Sequence, residues 1–169
     1  MSTTPTVLTV CLGNICRSPT AAAAIEEAAS AAGVPVSVAS AGTGRWHVGK
    51  PPDRRMRAAA AEDGLTLTGR AEQIDARMLA EADLVLVMDR SNLTDVQRVA
   101  EDAGIDVPIR LFREFDPGRD PESPSDLEVP DPYYGGREGF AEVVAICRRT
   151  AAEVVAHLAA EHDRGTAAG

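Results

Sequence analysis

The sequence predicts an α/β fold: one domain built as a doubly wound, four-stranded parallel sheet with helices on both faces. Two observations point there. Short β-branched or wholly apolar runs alternate with longer alanine-rich stretches along most of the chain, which is the pattern of strands joined by crossover helices. The run ADLVLVMD, residues 82–89, is continuously apolar at its centre, as expected for a strand covered on both faces. At 169 residues the chain holds enough apolar material for one core.

The elements follow in order. Residues 6–10 (TVLTV) form a first, β-branched strand. Ser18 and Pro19 open a helix over TAAAAIEEAASAAG, with proline in its first turn and Gly33 at its end. Val34, Val36 and Val38 alternate with other residues and mark a second strand. PDRRMRAAAAEDG reads as a helix capped by Asp53 and closed by Gly64. The third strand is ADLVLVMD, and SNLTDVQRVAEDAG follows as a helix capped by Ser91 and closed by Gly104. VPIRLF is the fourth strand. Residues 113–136 are rich in proline and aspartate, a loop long enough in a compact domain to suggest a functional role. The last helix runs from REGFAEVV to about residue 160, and residues 161–169 are expected to be a disordered tail. Right-handed crossovers join the strands.

Composition removes several classes of function. A net charge of -9 argues against a general nucleic-acid or membrane-surface binder, since both need a basic face. Any phosphate chemistry must then rely on a local positive site. MSTTPT has no basic or apolar leader character, so a cytoplasmic protein is expected. Three cysteines do not make a disulfide framework, and two of them share one short loop, which suits thiol chemistry in a reducing compartment.

That loop, CLGNICRSP, lies between the first strand and the first helix, where ligands of open α/β sheets bind and where the helix start offers free N–H groups. It lacks the lysine and second glycine of a nucleotide P-loop. Cys11 and Arg17 instead spell C-x5-R, followed by Ser18. Five intervening residues let successive N–H groups curl inward as an anion nest, with sulfur at the base and a guanidinium at the rim. Arginine's planar fork fits two oxygens of a tetrahedral oxyanion. The same dipoles favour the deprotonated sulfur, which makes Cys11 the candidate nucleophile. A zinc site is disfavoured: there is no C-x-x-C, and His47, His157 and His162 are not grouped as ligands. Cys147, among Val143, Val144 and Ile146, reads as core.

The long loop holds three Asp-Pro pairs, beginning at Asp116, Asp120 and Asp131, as candidates for a general acid. Residue chemistry alone leaves the choice open. Asp131 is the one followed by Tyr133 and Tyr134, whose rings favour a carboxyl that holds a proton.

The ordered set VCLGNICRSP, SAGTGRWHVG, VMDRSNL and DPYYGG resembles the low-molecular-weight protein tyrosine phosphatases, with the match running over roughly residues 5–160. The resemblance implies a flavodoxin-like sheet in the order 2-1-3-4 and a catalytic domain over residues 1–160. It implies metal-independent hydrolysis of phosphotyrosine in proteins through a phosphocysteine, with no cofactor. Cys11 would attack phosphorus, Arg17 and the backbone of Leu12, Gly13, Asn14, Ile15 and Cys16 would hold the phosphoryl oxygens, and Asp131 would be the general acid. Ser18 would donate to the sulfur, Asn14 would shape the loop through a bond with Ser40, and Trp46, Tyr133 and Tyr134 would wall the cleft. Cys16 would be the redox neighbour that protects Cys11 as a reversible disulfide. The partners implied are phosphotyrosine-containing proteins, with inorganic phosphate as product and weak inhibitor, and the chain a monomer or weak dimer. One departure stands out: Gly69 replaces a histidine that commonly helps brace the loop asparagine, which puts loop rigidity in question. Two related activities compete. Arsenate reduction needs a cysteine relay, for which only Cys147 lies beyond the loop; phosphoarginine hydrolysis tends to go with threonine where this chain has Ile15.

Overall fold

The computed structural model describes residues 4–168, with the backbone alone for 166–168. Its sheet has four parallel strands in the order β2-β1-β3-β4: β1 (Thr6–Cys11), β2 (Ser37–Gly42), β3 (Leu84–Val87) and β4 (Ile109–Leu111). This is the expected topology. The central strands explain the expected pattern: β3 is buried at all four positions and β1 at all but its first, because helices cover both faces. Alternation then sorts the side chains. Val7, Cys11, Leu84 and Leu86 join one cluster, with Ile25, Met56 and Ile146; Leu8, Val10, Val85 and Val87 join the other, with Leu79 and Val96.

The helices divide accordingly. On the first face lie α1 (Arg17–Ala32), α2 (Arg54–Glu62) and α5 (Arg137–Ala168); on the second lie α3 (Ala76–Glu81) and α4 (Arg90–Ala103). Gly33 closes α1 at φ 67°. Asp53 caps α2 by accepting from the N–H groups of Arg55 and Met56, as expected, while its C-cap is Asp63, with Gly64 just beyond at φ 74°.

Two expectations are corrected and one helix is added. The cap of α4 is Asp89 and not Ser91: its carboxylate accepts from the Asn92 N–H at 2.8 Å while Asn92 Oδ1 takes the Asp89 N–H at 3.2 Å, so the helix begins directly at the end of β3. Helix α3 went unforeseen because six residues are too few to show a period. The segment 161–168, expected to be disordered, continues α5 as helix to Ala168 despite Gly165, with His157 Nε2 approaching Glu161 Oε1 at 3.2 Å one turn apart. Residue 169 of that tail lies outside the described residues.

The long loop is not structureless. It carries 3₁₀ turns at Phe112–Phe115 and Pro124–Leu127 and is tied to α5 through Asp116. The fully buried Asp116 carboxylate accepts from Arg149 Nε at 2.7 Å, Arg113 Nε at 2.8 Å and the Gly118 N–H at 2.8 Å. Burial alone would raise its pKa; the bonds from Arg149, Gly118 and Arg113 outweigh burial and hold it below the usual carboxylate range. Asp116→Ala would take from the buried Arg113 guanidinium its nearest carboxylate, leaving it the Glu128 carbonyl and the Asp126 carboxylate at 4.0 Å, and is expected to cost about 3–5 kcal/mol. Thermal unfolding checks this. Because the folded-state pKa is the lower one, the contribution is complete above the unfolded carboxylate pKa of about 4 and fades as pH falls through the folded value. The gap in Tm between wild type and variant should therefore hold from neutral pH down to about pH 5 and shrink in stronger acid.

Candidate active site

Strand β1 is where the strand order reverses, with β2 on one side and β3 on the other, so its carboxyl end is the switch point at which open sheets bind ligands. Cys11 is its last residue, paired with Gly42. The chain then turns through residues 12–16 into α1. The carbonyls of Cys11 and Leu12 are turned outward to the N–H groups of Thr43 and Gly44, and that of Ile15 to the N–H of Asp53. The loop's N–H groups are thereby left to its inner side, where the Asn14 N–H meets the Cys11 sulfur at 3.2 Å. Helices α2, α3 and α4 are each capped by an aspartate side chain, whereas the N-cap of α1, Cys16, makes no side-chain cap bond. Its positive end is thus open to an anion.

Asn14 holds the loop's shape at φ 58°, a left-handed conformation that asparagine tolerates. Its Nδ2 donates to Ser18 Oγ at 2.8 Å and Ser40 Oγ at 3.0 Å, and its Oδ1 accepts from the Glu72 N–H at 2.9 Å. The brace is complete without the missing histidine; Gly69 lies exposed at φ 84°. Ser18 Oγ, already accepting from Asn14, lies 3.0 Å from Cys11 Sγ and 3.4 Å from the Ala41 carbonyl, so the sulfur is its nearer target as a donor. Gly42 is required by the close fit: a Cβ there would lie 2.7 Å from the Leu12 carbonyl oxygen.

Arg17 is buried at the rim, its side chain 4% exposed. Nη1 donates to Asp89 Oδ2 at 2.7 Å and to the Val129 carbonyl at 3.0 Å. Those bonds fix the plane of the guanidinium and leave its other edge, Nε and Nη2, for a ligand. Nη2 is 3.8 Å from Asp131 Oδ2. Burial would weaken the charge on Arg17; the negative charge at Cys11, Asp89 and Asp131 outweighs it and holds the proton more firmly. Asp131 accepts the Tyr133 N–H on Oδ1 at 3.1 Å, which leaves Oδ2 toward Arg17.

Together these groups border a cavity of about 410 Å³ that includes Cys11, Arg17, Asp131, Trp46, Tyr133 and Tyr134. Leu12, Gly13, Ile15 and Cys16 line it too, so of the expected site residues only Asn14, Ser18 and Ser40 stand behind it, as supports. Tyr133 and Tyr134 meet edge to face at 4.9 Å. Trp46 is exposed and lies across Gly44, where a Cβ would fall 1.9 Å from the indole ring. Burial, with Asp53 and Cys11 adding negative charge nearby, pushes the Cys16 thiol up to about 12. Burial also pushes up the thiol of Cys147, a core residue as expected. No group of three or more metal-ligating side chains occurs among the described residues.

Two participants escaped the sequence reading. His47, weighed only as a metal ligand, lines the cavity beside Gly13 with its ring 6.0 Å from that of Tyr133. Asp89 orients Arg17; an acidic residue closing β3, at the same sheet edge as Cys11, was the available signal.

The comparisons with known proteins agree. The model of the low molecular weight phosphotyrosine protein phosphatase family matches residues 6–164. A low molecular weight protein-tyrosine-phosphatase of Streptomyces coelicolor is 42% identical over 135 residues, 79% of this chain and 80% of that one. Among solved structures, a protein tyrosine phosphatase of Entamoeba histolytica superposes with a TM-score of 0.84 at 28% identity, covering 94% of this chain and 99% of that one. A Drosophila arginine phosphatase does so with a TM-score of 0.81 at 26% identity, covering 89% and 96%. With a match that spans nearly the whole chain, this protein belongs to the low molecular weight phosphotyrosine protein phosphatase family and is a tyrosine phosphatase.

Proposed function

We propose that the protein hydrolyses phosphotyrosine in proteins in two metal-independent steps through a phosphocysteine. The observation that carries this is the grouping of Cys11, the free edge of Arg17 and Asp131 around one cavity. In the first step the Cys11 thiolate attacks phosphorus in line, the S–P bond forms, and the bond to the tyrosine oxygen breaks as Asp131 gives that oxygen a proton. In the second, water attacks phosphorus, Asp131 takes its proton, the S–P bond breaks and phosphate departs. Arg17 and the loop N–H groups balance the phosphoryl charge in both transition states, the work a divalent cation does in other phosphoryl transfers. The Ser18 hydroxyl, donating to the sulfur, stabilises it as attacking and leaving group.

The aromatic wall of Trp46, Tyr133 and Tyr134 and the apolar Ile15 favour a flat aryl ester over a guanidinium phosphate. The test is hydrolysis of para-nitrophenyl phosphate, phosphotyrosine peptide and phosphoarginine with EDTA present and orthovanadate as inhibitor. Chelator-resistant, vanadate-sensitive hydrolysis of the two aryl esters is expected. Activity that vanishes with EDTA contradicts the mechanism, and a preference for phosphoarginine contradicts the substrate.

Asp131→Asn removes the proton donor and is expected to lower kcat on phosphotyrosine peptide by about 10²–10⁴-fold. Steady-state kinetics decide it, and full activity would refute this assignment of the acid. Gly44→Ala forces the Trp46 ring off its seat. Losing that aromatic contact, about 0.5–1.5 kcal/mol, should raise KM for the peptide by about 2–10-fold and leave kcat nearly unchanged.

A further inference from the structure

A second cleft, of about 490 Å³, opens between α2 and the start of α5. Ala58 and Ala59 from one helix and Phe140 and Ala141 from the other give it an apolar lining, joined by the backbone of Gly135 and Gly136, which directly follows the Tyr133-Tyr134 wall. Its two arginines are already matched. Arg55 donates to both carboxylate oxygens of Asp53, at 3.2 and 3.0 Å, and Arg137 lies 3.5 Å from Glu62. Glu138 sits in the first turn of α5, where the helix dipole favours an acid. An anionic ligand would find no uncompensated cation, Glu138 stands at an exposed position, and the alanines and Phe140 between the helices suit an uncharged apolar group.

The cleft adjoins the active site through a shared partition. The Arg55 guanidinium stands 5.2 Å from the centre of the Tyr133 ring, which faces the active-site cavity, and 4.8 Å from that of Phe140, which faces the cleft. The two rings are therefore separated by at most the sum of these distances. At about 3.3 Å per residue, an extended chain covers that span in two or three residues.

We propose that this cleft is a second substrate subsite, taking an uncharged apolar side chain two or three residues from the phosphotyrosine in an extended segment of the substrate protein. The proposal rests on the tyrosine-phosphatase reading above. It gives the enzyme a sequence preference beyond the phosphotyrosine ring, with Arg55 as the sill over which the substrate backbone passes.

The test is a set of alanine-based phosphotyrosine peptides with a single leucine or phenylalanine placed two or three residues to either side. At one of these positions the apolar residue should raise kcat/KM by about fivefold or more over alanine, mainly through KM. Ala58→Arg and Ala141→Arg, both at exposed helical positions, would each fill the cleft with a charged chain. In either variant the gain should fall below about twofold, while hydrolysis of free phosphotyrosine, which is too small to reach the cleft, stays at the wild-type rate and reports an intact fold. A flat peptide series, or a gain that survives both substitutions, overturns the subsite while leaving the reaction intact. Failure to hydrolyse free phosphotyrosine overturns the underlying reading instead.

Discussion

Cys11→Ser is expected to abolish turnover, lowering kcat for para-nitrophenyl phosphate by at least about 10⁴-fold, while phosphate and vanadate still bind. A serine hydroxyl at this position keeps its proton at neutral pH and is a poor nucleophile unless a base activates it, and the groups that bond the position-11 side chain, the Ser18 hydroxyl and the Asn14 N–H, are not bases. The binding apparatus survives the change. The loop carbonyls remain turned outward to Thr43, Gly44 and Asp53, Asn14 keeps its three side-chain bonds, and Arg17 stays pinned by Asp89 and Val129. Titration calorimetry with phosphate should give an affinity within about threefold of wild type. Residual activity at a tenth of the wild-type rate would mean that another group makes the bond to phosphorus.

Arg17→Ala should be nearly as severe, with kcat/KM falling by about 10³–10⁵-fold, the range set by arginines that neutralise a transferring phosphoryl group. Two effects add. The free edge of the guanidinium no longer meets the oxygens, and the Asp89 carboxylate and the Val129 carbonyl lose their shared donor. Val129 lies two residues before Asp131, so the second effect also loosens the stretch of loop that carries Asp131. Arg17→Lys separates the two: it restores the positive charge and with it much of the thermal stability, but a single ammonium cannot serve Asp89, Val129 and two phosphoryl oxygens together. Its rate should stay at least about 10²-fold low. A lysine variant of near wild-type rate would show that charge alone suffices at the rim.

How much of this was written in the sequence depends on range. The phosphate loop was legible because its parts are contiguous: a C-x5-R run after a β-branched strand states its own geometry. The sheet was legible because β1 and β3, covered on both faces, cannot hide their apolar character. Choosing among the three Asp-Pro pairs required distance information. Asp116 is sunk against Arg113 and Arg149, the latter 33 residues away. Asp120 is exposed and spends its carboxylate on the Glu122 N–H. Asp131 alone of the three borders the cavity. The neighbouring Tyr133 and Tyr134 were a local hint, but the choice rested on the resemblance. The pairing of Arg17 with Asp89 spans 72 residues and was invisible for the same reason. So was the supply of the Glu72 N–H to Asn14, which answers the doubt raised by Gly69. The missed cap at Asp89 shows two roles competing for one residue, since its Oδ1 starts α4 while its Oδ2 orients Arg17.

The central claim is that a sulfur atom carries the phosphoryl group between the two steps. Acid quench of the working enzyme with a phosphotyrosine substrate in EDTA, followed by peptide mass spectrometry, tests it most directly. The account predicts one phosphoryl group on the peptide that contains Cys11, absent from Cys11→Ser. Turnover that proceeds with the Cys11 peptide unmodified at every quench time, or a phosphoryl group found on another residue, would contradict it.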